Sequence, residues 1–217
     1  MINDKTAIFD ILDDLVIRYP VLGCVKADIY QAFLTLETCY RDGNKLLIAG
    51  NGGSAADADH IVGELMKGFK KERHIPSQLD ECFINVDNER GKILAQKLQR
   101  ALPAIALNNH TGLSTAFLND IDGILCYAQQ VYGYGKQGDI LLAISTSGNS
   151  ENIIYSSIVA KALGMKVIGL TGKTGGKLRE YCDTAIIVPE DETFKIQELH
   201  LPIYHAICLM LEISFFS

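Results

Sequence analysis

The segment Lys45-Leu46-Leu47-Ile48-Ala49 runs into Gly50-Asn51-Gly52-Gly53-Ser54, and His60 and Glu64 follow shortly after. The apolar run reads as a buried strand, the glycines as a turn, and the next residues as the start of a helix. Gly50, Gly52 and Gly53 let the backbone turn sharply and come close to a ligand. A helix N-terminus behind them offers unpaired N–H groups and a positive dipole end, which suits an anion such as a phosphate. Further in, His60 and Glu64 stand at i and i+4, about 40° apart on one helix face at roughly 100° per residue. Such a pair can act as a base or hold a metal. It can equally be a surface pair worth a few tenths of a kcal/mol.

A second turn, Ser145-Thr146-Ser147-Gly148-Asn149-Ser150, follows the apolar run that ends at Ile144. Hydroxyls and a glycine ahead of a helix make another anion cradle, although a serine-rich turn is also an ordinary helix cap. Two such turns in one sheet favour a ligand with a phosphate and several hydroxyls. Near the C-terminus, Gln197, Glu198, His200 and His205 lie in an apolar helix, where they can be hydrogen-bonded core residues or ligands. Gln197 and His205 are eight residues apart, about 12 Å along a straight helix at 1.5 Å per residue. They reach one metal only if the chain bends, if the long Gln side chain stretches, or if a neighbouring subunit completes the site.

These residues need a frame to hold them. Helical periodicity covers roughly residues 5–19 and 25–42, with Pro20 and Gly23 between. Short apolar runs without polar alternation then occur at Leu46–Ala49, Ala104–Leu107, Ile140–Ile144, Val167–Leu170 and Ala185–Val188, as expected of parallel strands covered on both faces. Helix-like stretches near 54–73, 111–134, 150–163 and 174–182 separate them, and a long apolar-rich one spans about 192–214. The alternation predicts one α/β domain over 1–217, with a doubly wound five-stranded parallel sheet. Ligands on such sheets sit outside the carboxyl ends of the strands, where both turns fall. Residues 74–103 break the rhythm and read as an insertion with a helix around Lys92–Ala101.

The 217 residues are 48% hydrophobic with a net charge of −6, enough to bury a full core and unsuited to general nucleic-acid binding. No apolar run reaches the length of a membrane span, and Met1-Ile2-Asn3-Asp4-Lys5 does not open a secretion leader. Cys24, Cys39, Cys82, Cys126, Cys182 and Cys208 are scattered without a C-x-x-C pair, so they read as reduced core thiols of a cytoplasmic protein.

Taken together, the chain resembles the sugar isomerase (SIS) domain family and, within it, the phosphoheptose isomerases. The resemblance rests on Gly50-Asn51-Gly52-Gly53-Ser54-Ala55-Ala56-Asp57, His60 with Glu64, Asn119-Asp120, the 145–150 turn, Leu170-Thr171-Gly172, and Ile196-Gln197-Glu198 with His205. It implies the SIS fold and a homotetramer with sites shared between subunits, without nucleic-acid or membrane partners. The implied reaction converts sedoheptulose 7-phosphate into D-glycero-D-manno-heptose 7-phosphate. It also implies one zinc per subunit at His60, Glu64, Gln197 and His205. Substrate contacts would come from Asn51, Gly52, Gly53, Glu64, Asn119, Asp120, Ser145, Thr146, Ser147, Ser150 and Gln197, with Ser54 assisting.

Aldose–ketose exchange moves a proton between C1 and C2 through an enediol, so it needs a base near carbon and a partner for the developing oxyanion. Glu64 takes the base role in this reading and His205 the acid role. The chain departs from the family pattern in the length of the 74–103 insertion, in Asn108-Asn109-His110-Thr111 after the second strand, and at Phe194. The first two bear on which sugar is used. Competing readings are a non-catalytic SIS protein that binds a sugar phosphate or a replication initiator, and an isomerase of another phospho-sugar. Retention of His60, Glu64, Gln197 and His205 argues for the enzyme.

Overall fold

The computed structural model describes residues 2–216, so Met1 and Ser217, the two ends of the expected domain, lie outside the described residues. Its centre is a five-stranded parallel sheet in the order β2-β1-β3-β4-β5. The strands are β1 (Leu46–Ala49), β2 (Ala104–Ala106), β3 (Ile140–Ser145), β4 (Lys166–Thr171) and β5 (Thr184–Ile187). Register pairs Leu46 with both Ala104 and Ile140, Ile140 with Lys166, and Ile168 with Thr184.

Every residue of β1 and β3 is buried, which is why neither strand alternates in sequence. Leu46, Ile48, Ile140 and Leu142 point into one core layer, while Leu47, Ala49, Leu141 and Ala143 point into the other. The first layer is closed by α1 (Ile2–Arg18), α2 (Lys26–Arg41), α3 (Gly53–Met66) and α9 (Thr193–Phe216); the second by α7 (Cys126–Tyr134) and α8 (Glu151–Ala162).

Several helices differ from the expected bounds for local reasons. The helix expected to reach residue 73 stops at Met66, because Arg73 folds back to take carbonyls from its last turn. The stretch 111–134 divides into α6 (Thr111–Asp120) and α7, with Asp122 capping the 3-10 turn between them by accepting from Ile124 N at 3.0 Å. Residues 174–182 form only a 3-10 turn, Lys177–Tyr181, after Gly175 and Gly176 in the left-handed region. The insertion holds two helices rather than one, α4 (Ser77–Val86) and α5 (Asn88–Lys97). Asp87 between them accepts from Glu89 N at 3.1 Å and Arg90 N at 2.8 Å, a helix cap by side chain.

Two further expectations need correcting. α9 does have the length and apolarity of a membrane span, with mean hydropathy 1.5 over its best window, but 50% of that window is buried inside the protein. It is the main core helix of the first layer, with Ile196, Ile203, Met210 and Leu211 fully covered. All six cysteines are free, yet Cys24 and Cys82 are exposed, so only some are core thiols. Burial pushes Cys39, Cys182 and Cys208 up to about 12, which keeps those thiols protonated and unreactive.

Candidate active site

In the strand order 2-1-3-4-5 the chain leaves β1 toward β2 on one side and returns to β3 on the other. A crevice therefore opens beyond the carboxyl ends of β1 and β3, at the topological switch point. The glycine turn leaves β1 there, and the serine turn leaves β3 beside it. Gly52 adopts φ 54°, a left-handed conformation that favours glycine. Gly50 has no room for a Cβ, which would stand 2.3 Å from the Ser54 carbonyl oxygen. Tyr127 fixes the turn from α7 by donating to Gly50 O at 2.7 Å.

In the second turn, Ser145 Oγ and Ser150 Oγ are 3.1 Å apart, and Ser147 Oγ accepts from Asn149 N at 3.2 Å. Gly148 packs backbone to backbone on the loop after β4, so a Cβ there would meet Gly175 O at 1.9 Å. The two turns are joined: Asn51 and Asn152, from the first turn of α8, hydrogen-bond each other through both amide groups. Asn51, Gly52, Gly53, Ser54, Ser145, Thr146, Ser147 and Ser150 thus form one continuous rim. Asn119 and Asp120 stand exposed at the end of α6, where Asn119 donates to Asp120 Oδ1 at 2.8 Å; no described hydrogen bond ties either to the rim.

α9 runs alongside α3 in the same direction. Gln197 lies over Gly53, where its Nε2 would be 2.6 Å from an added Cβ, and His205 lies beside His60. His60 Nε2 is 3.2 Å from Glu64 Oε1 and 3.4 Å from His205 Nε2. The structure therefore brings Glu64, His60 and His205 into a row and leaves Gln197 two turns away. Burial lowers the His205 imidazole below its usual value, the nearby His60 adds to this, and Glu64 opposes it. A cavity of about 390 Å³ opens on the far side of His205, between α1 and α9, lined by Asp14, Arg18, Tyr19 and Phe69. His200 is a core residue: it is fully buried and hydrogen-bonds to Thr171 O at 3.3 Å.

Beneath this row lies a buried ion pair that the sequence did not reveal. Arg73 Nε donates to Glu212 Oε1 at 3.0 Å, while its Nη1 and Nη2 donate to Leu65 O at 2.8 Å and Glu64 O at 3.1 Å. Glu212 also accepts from Phe69 N at 2.8 Å and Lys70 N at 2.9 Å. The pair caps the C-terminal carbonyls of α3 and holds Glu64 in place. Nothing in Lys70-Lys71-Glu72-Arg73-His74 distinguishes Arg73 from its neighbours. Asn152 and Tyr127 were equally silent, because their partners are remote in sequence.

Among the described residues, no group of three or more His, Cys, Asp or Glu is closed into a metal site. The row nevertheless carries the donors zinc prefers, two imidazole nitrogens and a carboxylate oxygen. Its 3.2 and 3.4 Å separations match the roughly 3.4 Å edges of a tetrahedron with bonds near 2.1 Å. Glu64 and His205 both face His60 Nε2 and need a proton or a cation between them and it, so the donor types suit a metal although the three side chains do not enclose one.

Along α3, Gly53 and Glu64 are eleven residues apart, about 16 Å by helical rise. Within one chain, a sugar phosphate held at the rim must be stretched nearly end to end to meet Glu64.

A rim of backbone and hydroxyl groups at a switch point, with a carboxylate–imidazole row on the helices behind it, defines an α/β domain with a crevice suited to a small anionic ligand. Residues 89–172 match the SIS domain family. The phosphoheptose isomerase of a Nitratiruptor species is 41% identical over 191 residues, covering 88% of this chain and 88% of that protein. That of Aliarcobacter butzleri is 41% identical over 79% of this chain and 77% of its own length. Two solved phosphoheptose isomerases also superpose on it. The Francisella tularensis structure gives a TM-score of 0.73 at 30% identity, covering 97% of both chains. The Neisseria gonorrhoeae structure gives 0.72 at 29%, covering 98% of this chain and 99% of that one. The chain belongs to the phosphoheptose isomerase family.

Proposed function

We propose that this phospho-sugar isomerase converts sedoheptulose 7-phosphate into D-glycero-D-manno-heptose 7-phosphate through an enediol. The observation that carries the reading is the joined rim at the switch point together with the row of Glu64 and His60 on α3 and His205 on α9, in which His60 stands between the other two. Ser145, Thr146, Ser147 and Ser150, with the 51–54 turn, bind the phosphate and the nearby hydroxyls. Asn119, Asp120 and Gln197 contact the rest of the sugar. Glu64 takes the C1 proton of the ketose and returns it to C2. His205 delivers a proton to the C2 oxygen, accepts one from the C1 hydroxyl, and assists ring opening.

His60, Glu64 and His205 would hold a zinc ion, one per subunit; Gln197, two turns away over Gly53, would join them only from a neighbouring subunit. When bound, zinc polarises the sugar oxygens. Because rim and acid–base row lie far apart in one chain, we read the active site as shared between subunits of a homotetramer. The six free thiols suit a reducing compartment, and we place the enzyme in the cytoplasm.

One local feature bears on the alternative, an isomerase of another phospho-sugar. The Asp59 carboxylate is held by Asn108 Nδ2 at 3.0 Å and Asn109 Nδ2 at 2.5 Å, in the loop where this chain departs from its family's pattern. The deciding experiment incubates the enzyme with a panel of ketose phosphates in deuterated water and follows by NMR the solvent deuterium that enters C1 of the ketose and C2 of the aldose. Exchange and aldose formation with sedoheptulose 7-phosphate are expected. Exchange with another sugar alone would overturn the substrate, and none with any would overturn the catalytic reading.

A further inference from the structure

Behind His60, on the side away from Glu64 and His205, lies a hydrogen-bond chain that the reaction does not use directly. Tyr204 OH is 3.1 Å from His60 Nδ1 and donates to Asp57 Oδ1 at 3.2 Å. Tyr204 is 3% exposed, and its ring meets those of His60 and His205 edge-on at 5.5 and 5.0 Å between centroids. Asp57 lies on α3, one helical turn before His60. Its other oxygen, Oδ2, is buried without a hydrogen-bond partner.

A phenol has one proton to give. It goes to Asp57, because otherwise this half-buried carboxylate would have no described hydrogen bond at either oxygen, a desolvation penalty without compensation. The contact between Tyr204 and His60 then needs its proton from His60 Nδ1. A neutral imidazole protonated at Nδ1 carries a bare lone pair at Nε2, the atom that faces Glu64 and His205. Metal-ligating histidines are set in this way by a partner on their other nitrogen.

We propose that Asp57 and Tyr204 are positioning residues which lock His60 in the Nδ1-protonated tautomer and present its Nε2 lone pair to the acid–base row. This deepens the reading of the site and rests on it only in placing His60 there. Neither residue touches substrate or metal; both act through the imidazole.

The test reads the ring itself. The metal-free enzyme, labelled with 15N-histidine, is compared with Tyr204→Phe and Asp57→Ala by long-range 1H–15N correlation of the His60 nitrogens. Phe keeps the ring packing and removes only the hydroxyl. Ala leaves the hydroxyl but frees its proton to turn toward Nδ1. In the wild type, Nε2 is expected to resonate as an unprotonated nitrogen and Nδ1 as a protonated one. Both variants should move to the Nε2-protonated form, and their zinc dissociation constants should rise 10–100-fold.

Folded variants that keep the wild-type tautomer would overturn the proposal, as would a wild-type ring already protonated at Nε2. The spectrum is recorded without metal or sugar, so it reports the tautomer whether or not the isomerase assay succeeds. A packing role alone predicts no change for Tyr204→Phe.

Discussion

Asn51 and Asn152 hold each other through two hydrogen bonds, Nδ2 to Oδ1 at 2.9 Å in one direction and 2.8 Å in the other. The reciprocal pair fastens the turn after β1 to the first turn of α8, and so fixes the width of the crevice between two strand ends. Asn152 Oδ1 also accepts from Ile153 N at 3.0 Å, which leaves the amide little freedom to rotate.

Loss of that fastening should be read in binding before chemistry. Asn152→Leu removes both bonds while leaving Glu64 and His205 untouched. A KM for the sugar phosphate raised about tenfold, the equivalent of one or two net hydrogen bonds, is expected with kcat within a few-fold of wild type. A kcat loss with unchanged KM in steady-state assays would show that the pair acts elsewhere.

Sharing of the site between subunits can be tested by complementation. Glu64→Gln and Ser147→Ala are each expected to lower kcat/KM by at least a hundredfold. If rim and row come from different subunits, mixing and re-annealing the two inactive proteins should restore about a quarter of wild-type activity, the fraction of sites that combine an intact rim with an intact row. Activity that stays at the level of the separate variants would place each site within one chain.

The Arg73–Glu212 pair should matter for stability more than any surface charge. Both side chains are almost completely buried, and removing one leaves the other unpaired in the core. Arg73→Leu is expected to cost about 3–5 kcal/mol in denaturant unfolding. Burial alone would raise the Glu212 carboxyl. The N–H groups of Phe69 and Lys70 and the Arg73 guanidinium outweigh it and hold the group below its ordinary 4.5. A carboxyl depressed on folding stabilises fully above its unfolded value and loses that contribution as pH falls below about 4.5 through the folded value. Glu212→Gln should remove this acid-sensitive component, and an unchanged slope of stability against pH below 4.5 would refute the assignment.

His200 provides a second, separable acid response. Burial pushes its imidazole from 6.5 down to about 4, and the hydrogen bond to Thr171 O offsets this only in part. Below 6.5 the unfolded chain takes up a proton that the folded chain refuses, so stability falls as pH drops from 6.5 toward 4 and is unaffected above that range. The full effect is about 3 kcal/mol at 1.36 kcal/mol per pKa unit. His200→Gln should flatten the unfolding profile between pH 6.5 and 4, and parallel profiles for the two proteins would contradict it.

The parallel sheet was legible because both faces of β1 and β3 are covered, which writes uninterrupted apolar runs into the chain. The two turns were legible because glycine and serine have few other reasons to cluster at strand ends. His60 and Glu64 were visible as an i, i+4 pair; His205 stood out as a histidine in an apolar helix, but what separated it from His200 was only the family resemblance. Helix ends were less readable. Continuation of α3 past Met66 is prevented by Arg73, whose partner Glu212 lies 139 residues away. Asn152, Tyr127, Tyr204 and Asp57 were hidden for the same reason: each acts through a contact that local spacing cannot express.

The α4–α5 insertion buries no side chain of α4 and only Gly91 of α5, and its two ends meet at an antiparallel bridge between His74 and Gln99. A segment that leaves and rejoins the domain at a single point can lengthen, shorten or be exchanged without re-registering the sheet. Changes confined to it would alter the molecule's outline and leave the strand ends that carry the two turns where they are.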